Sequence, residues 1–222
     1  MLYSLAVPLV MVFLFGGGIR SGPFGGFRAA YALPFGMVWA FLGLTRMINN
    51  CLGAEGTGIN FYYLSPTPLR TVMLGKNAFH LMLFLLEAAL ITALTLVRFG
   101  LPRPSVAAAT VAWMLFAIPG NFAAGNLLSI LMPYRMNVVR MRQEQGAAGN
   151  GLLSMLTQVA TLGLGALVLL ATSLAGHPWL ATPVLLGLAV VSGVVYWQVL
   201  NRVDGMMQRR SESLILRLAK TA

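Results

Sequence analysis

A chain of 222 residues with 58% hydrophobic and 9% charged side chains and a mean hydropathy of +0.80 is not an ordinary soluble domain, because soluble domains hold about 45–50% apolar and about 25% charged residues to keep a wetted surface. The same figures exclude disorder, which needs low hydrophobicity and high charge. The net charge of +10 therefore reads first as topology information, and a single cysteine, Cys51, excludes an internal disulfide framework and a multi-cysteine metal site.

Six apolar stretches follow one another along the chain, at residues 2–15, 29–47, 78–97, 106–132, 152–175 and 180–200. A bilayer core about 30 Å thick takes roughly 20 helical residues, so these stretches predict membrane helices. The first is short and stands where a signal peptide would, but it has no basic leader and no Ala-x-Ala-like site, which favours a membrane helix. The fourth carries Pro119-Gly120, which predicts a kink whose freed carbonyl is satisfied by a neighbouring side chain such as Asn121.

The basic residues between the stretches orient the chain. Arg46, Arg70, Lys76, Arg135, Arg140, Arg142, Arg202, Arg209, Arg210, Arg217 and Lys220 fall on one side, against Arg20, Arg28, Arg98 and Arg103 on the other. The richer side is assigned to the cytoplasm. The expected fold is thus an all-α integral membrane protein of about six transmembrane helices with both termini inside. Residues 1–201 form its membrane domain, 50–77 a cytoplasmic loop, and 202–222 a basic tail. In that tail Leu214, Ile215 and Leu218 interleave with Arg209, Arg210, Arg217 and Lys220, the pattern of a segment lying on anionic lipid or of a solvated basic end. Topology accounts for the tail's charge better than nucleic acid does.

Motor chemistry is missing from the residues. A phosphate-binding loop needs G-x-x-x-x-G-K-[ST], and around Gly75-Lys76 the first glycine is replaced by Arg70 and the hydroxyl by Asn77. His80 and His177 are too few for a metal without several carboxylates, and no G-x-S-x-G elbow is present. No catalytic, cofactor-binding or metal residue is expected in this chain. If ATP drives it, another chain binds the ATP.

The most informative stretch is the loop at 50–77. Ile59, Tyr62 and Tyr63 share one face of a short amphipathic helix, with Thr57 and Asn60 turned away. Pro66 pushes Ser65 out of helical geometry, and Pro68 suits the start of a second helix leading into the third span. Arg70 and Lys76 have the chemistry to meet lipid phosphates or an acidic partner surface.

Glu55, Gly56, Thr57, Ser65, Pro66, Arg70, Gly75 and Lys76 together resemble a pattern common between the second and third spans of type-2 ABC transporter permeases. Asn50, Gly53, Glu55, Gly56 and Gly58 resemble the N-x-x-G-x-E-G-x-G loop in the C-terminal half of long bacterial permeases. Weaker similarity continues at Gly125-Asn126, Ser129, Pro133 and residues 196–200. The resemblance implies a type-2 exporter-like half in the bacterial cytoplasmic membrane. Its implied partners are a separate ABC ATP-binding subunit, which carries ATP and magnesium, and a second permease half, either an identical copy or the N-terminal half of a longer permease. It also implies that residues 55–63, including Tyr62, form the helix that docks on the ATPase, with Pro66 fixing the angle at which motion reaches the third span. Two departures stand out: no amphipathic elbow helix precedes the first span, so a truncated start or a longer permease is expected, and Gly176-His177-Pro178 is too short for re-entrant outer helices.

Within the spans, Glu87 is the one acidic residue, with His80 seven before it and Arg98 eleven after it on nearly the same stripe. The stripe fits a polar path or, more simply, helix packing. Ser154, Gln158, Thr161, Gly165 and Thr172 near one face of the fifth span, and Ala189 and Gly193 in the sixth, fit close interhelical packing, substrate contact or a dimer seam. The competing expectations are a non-transporting membrane assembly or immunity factor, and a proton-coupled carrier using Glu87.

Overall fold

A computed structural model describes residues 25–135 and 147–219, which are helical and joined by short turns, with no strand among them. Helix α1 is Gly25–Asn49, α2 Ile59–Leu64, α3 Leu69–Phe99 and α4 Pro104–Leu131. Helix α5, Ala147–Gln158, passes through a π-turn at Val159–Gly163 into α6, Leu164–Leu174. Helix α7 is Ala181–Arg209 and α8 is Ser211–Ala219. By length and composition, five stretches can cross a membrane: Ala30–Asn49, Leu69–Phe99, Pro104–Leu131, Ala148–Leu174 and Pro178–Arg209. This is the architecture of a multi-pass helical membrane protein. The expected first span at residues 2–15 lies outside the described residues.

Two helices outrun their apolar stretches. Helix α3 begins at Leu69 rather than near residue 78, and α7 continues to Arg209, nine residues past Leu200. At 1.5 Å per residue, the 31 residues of α3 reach about 46 Å, well beyond the hydrocarbon. Hydropathy marks only the part of a helix that lipid requires to be apolar, whereas the extra turns of α3 and α7 are held by packing. Glycines at positive φ close α3 and α6: Gly100 (φ 80°) donates its N–H to the Leu96 carbonyl at 3.0 Å, and Gly176 (φ 76°) donates to Ser173 at 3.2 Å. Left-handed backbone costs glycine no steric penalty, which is why helices end there.

The chain divides into two units. The first comprises, among the described residues, 25–45, 81–118 and 161–191. In its described part Phe41 meets Phe84 edge to face at 5.3 Å between centroids, and the Tyr31 hydroxyl donates to Ser173 Oγ at 2.8 Å. Trp113 on α4 lies against Gly165 on α6, where any Cβ would strike the indole, and donates its ring N–H to the Thr161 carbonyl at 3.0 Å. That carbonyl belongs to the π-turn, whose widened hydrogen bonding leaves backbone groups in need of such partners. Thr161, expected at a packing face or a substrate contact, contributes its backbone oxygen to this packing.

The second unit comprises, among the described residues, 46–80, 119–135, 147–160 and 192–219. Helices α1 and α4 approach so closely at Gly125 that a Cβ would come within 2.6 Å of the Ile48 carbonyl oxygen. Helix α4 is continuous through Pro119. Asn121, expected to serve the proline-freed carbonyl, accepts from Gln158 Nε2 through its Oδ1 at 2.8 Å, joining α4 to α5. Asn150 on α5 donates at 3.1 Å to the carbonyls of both Asn49 and Met132. A buried cluster formed by Cys51, Leu52, Ile59, Leu69, Met73, Ile130, Leu200, Val203, Met207, Leu214 and Leu218 underlies the 50–68 segment.

Candidate functional site

The segment between α1 and α3 is ordered from end to end because each of its turns is held by a named group. At its start the Asn50 side chain mimics a peptide: its Nδ2 donates to the Tyr134 carbonyl at 2.8 Å while its Oδ1 accepts the Tyr134 N–H at 3.3 Å. The Cys51 N–H donates to Ser129 Oγ at 2.9 Å. Gly53 is required here, since a Cβ would collide with the Asn50 amide and the Tyr134 carbonyl. Gly56 adopts φ 54° and turns the chain into a short 3-10 turn at Gly56–Gly58, which leads directly into α2.

Helix α2 buries Ile59 completely and packs Tyr62 and Tyr63 on the cluster beneath. Its opposite face is bare: Phe61 is 72% and Leu64 81% exposed. After Leu64 the chain leaves helical geometry at Ser65 (φ −77°, ψ 143°), as a residue before proline must. The Thr67 N–H closes the turn on Ser65 Oγ at 3.1 Å. Pro68 stands one residue before the helix rather than inside it, and its carbonyl accepts the N–H groups of Thr71 and Val72 that start α3.

The charged residues of the segment are engaged within the protein. Lys76 forms an ion pair with Glu55, both side chains largely covered, and its ammonium lies 5.7 Å from the centre of the Tyr62 ring. Burial, and then the Glu55 carboxylate beside it, push the Tyr62 hydroxyl above its usual range. The guanidinium of Arg70 lies 4.8 Å over the Trp197 ring, while its backbone N–H donates to Asp204 Oδ1 at 2.8 Å. Glu55, Tyr62 and Lys76 therefore form one group and Arg70 another. Ser65 and Pro66 form the bend, Thr57 is exposed, and Gly75 faces open space with no steric demand for glycine.

Asp204 is the residue that sequence reasoning missed. It projects from α7 onto the first turn of α3, satisfying an orphan N–H and opposing the positive end of the helix dipole. Six residues further on, Arg210 Nη1 donates to the Leu131 carbonyl at 3.0 Å at the C-terminal end of α4, where a cation is favoured. The signal for Asp204 was its rarity, as one of 5 acidic residues in the chain.

The tail also differs from a lipid-bound segment. Leu214 and Leu218 of α8 are fully buried in the cluster under α2, with Ile215 packed against it. Helix α8 turns its apolar face to α2 and the 3-10 turn, because those elements offer a dry surface beside it.

Burial pushes the Cys51 thiol above its ordinary range. A thiol whose folded pKa lies above the unfolded one makes folding less favourable once pH rises through the unfolded value of about 8.5. The thermal midpoint of the wild-type chain is therefore expected to fall more steeply between about pH 8 and 10 than that of Cys51→Ala. Parallel pH profiles of the two proteins would refute this dependence.

Within α3, Asn77, His80, Phe84, Glu87, Ile91 and Thr95 all lie buried at helical spacing. Arg98, expected on the same stripe, is exposed, since it occupies the last turn past the packed part of the helix. Glu87 is 3% exposed, and His80 is buried with its Nδ1 unpartnered among the described residues. Asn77 Nδ2 donates to the Tyr196 hydroxyl at 3.0 Å, and the Tyr196 ring lies 6.1 Å from that of Phe122. No cluster of three or more metal-ligating side chains occurs among the described residues.

The chain matches no protein-family model, no curated protein and no solved structure in comparisons with each.

Proposed function

We propose that this chain is the membrane permease subunit of an ATP-binding cassette exporter in a bacterial cytoplasmic membrane, moving substrate by alternating access. A separate ATP-binding subunit would drive it, and a second permease half would complete the pathway. The observation that carries the reading is the form of residues 55–76: a six-residue helix presents Phe61 and Leu64 outward, is braced beneath, and is joined through an extended Ser65 to a 31-residue helix. Such a segment has a bare apolar face for a partner and a stiff connection to a span. The motif residues support the reading through the ion pair of Glu55 with Lys76 and the stacking of the Arg70 guanidinium on Trp197, and the excess of basic residues on the same side favours a cytoplasmic location.

Co-purification with the candidate ATPase, followed by ATP-turnover assays, tests the proposal. Phe61→Asp/Leu64→Asp is expected to abolish co-purification without lowering thermal stability, because both side chains are already exposed. Glu55→Ala and Arg70→Ala are expected to retain assembly and lose most substrate-stimulated turnover. Full assembly in the first variant together with full turnover in the other two would remove the docking role. Burial of Glu87 and His80 on one face of α3 favours a second reading, a proton-coupled carrier. On that reading Glu87→Gln abolishes transport, whereas ATP depletion at a fixed proton gradient does not.

A further inference from the structure

The shortest two helices of the second unit are packed on each other, and neither is long enough to stand alone. Helix α2 has 6 residues and α8 has 9, whereas an isolated helix in water needs about 12–15 residues to be even marginal. Each therefore draws its order from the other and from the shared cluster, to which α2 contributes Ile59 and α8 contributes Leu214 and Leu218. Above them the Tyr63 hydroxyl donates to the Met207 carbonyl at 3.1 Å, so the end of α7 joins the same assembly. The face of α8 bearing Glu212, Ser213, Leu216 and Arg217 is exposed. The helix is attached to the rest of the chain by a single turn at Arg210.

We propose that α8 is a latch on the 50–68 segment: docked, it holds α2 in one orientation, and released, it unfolds and frees α2 with it. Docking and helicity form one equilibrium, because a nine-residue helix detached from its surface melts. The sole cysteine of the chain lies in the same cluster. Cys51 is 7% exposed, with its thiol against Met73, and opening the cluster would uncover it. The inference rests on packing alone and holds whether or not the partner is an ATPase.

The test uses the full chain in detergent or nanodiscs with no partner present, so its failure is distinct from failure of the transport reading. Leu214→Asp/Leu218→Asp is expected to raise the rate of Cys51 alkylation by N-ethylmaleimide at least tenfold, and to abolish amide-exchange protection in the peptides covering residues 59–64 and 211–219 together. Leu216→Asp changes the same helix on its 60% exposed side and is expected to leave both readouts unchanged. The proposal is overturned if α2 keeps its protection in the double variant, if the alkylation rate does not move, or if Leu216→Asp has the same effect. Should the double variant not fold, exchange in the wild-type chain still decides. Equal protection of α2 and α8 supports a single latch, and clearly different protection of the two overturns it.

Discussion

Gly125→Leu is expected to cost about 3 kcal/mol or more, at the upper end for an overpacked core. The atom that blocks a side chain at this position is the Ile48 carbonyl oxygen, and beyond it lies more of the same backbone. A flexible side chain could swing aside, but α1 and α4 must separate along their crossing. The neighbouring polar side chains magnify the damage, because Asn49 and Asn126 flank the contact and are both buried. In thermal unfolding of the purified protein the expected change is a fall of about 10 °C in the apparent Tm. Gly75→Leu, where a Cβ meets nothing, is the comparison that should stay within about 2 °C of wild type. Equal midpoints for the two variants would show that the two helices do not meet as described.

Asp204→Ala is expected to cost about 1–2 kcal/mol, combining a hydrogen bond to a charged acceptor with a favourable charge at a helix N-terminus. The loss should be local before it is global. Amide exchange should speed up in residues 70–74, the turn whose Arg70 N–H is held by Asp204, while residues 84–95 of the same helix stay protected. Asp204→Asn keeps an acceptor and removes the charge, so it should recover part of the loss, and raised salt should narrow the gap between the Asn variant and wild type. Uniform exchange across α3 in Asp204→Ala would mean that the aspartate is not the cap. Arg210 is the junction residue between α7 and α8, six positions past Asp204, and the same variant should leave its contact with Leu131 intact.

The helical membrane class was legible in the sequence because lipid imposes a period-free demand, about twenty apolar residues in a row, that survives any detail of packing. The bend was legible for a similar reason. Pro66 acts on the residue beside it, so Ser65 must be extended whatever surrounds it. What could not be read is whatever depends on residues far apart in the chain. Nothing local says that Glu55 and Lys76 form an ion pair across 21 positions, or that Asp204 finishes a helix that begins 134 positions earlier at the Arg70 amide. The tail illustrates the limit well: Leu214 and Leu218 have the spacing of a membrane-surface helix, and an amphipathic face does not name what it will cover. The bond from Gln158 to Asn121 was equally illegible, since a buried carboxamide beside a proline has several acceptors and donors within reach, and α5 supplies this one.

The dependence of the 50–68 segment on residues 204–218 has a consequence for biosynthesis. A ribosome adds about 5–20 residues per second, so a growing chain of this protein spends about 8–30 s with the segment already made and its supports still unsynthesised. During that interval the cluster lacks Met207, Leu214 and Leu218, so the coverage of Ile59 and Tyr63 is incomplete. A chain that stops before residue 204 lacks those supports, and its 50–68 segment is expected to be cleaved faster by an added protease than in the full-length protein.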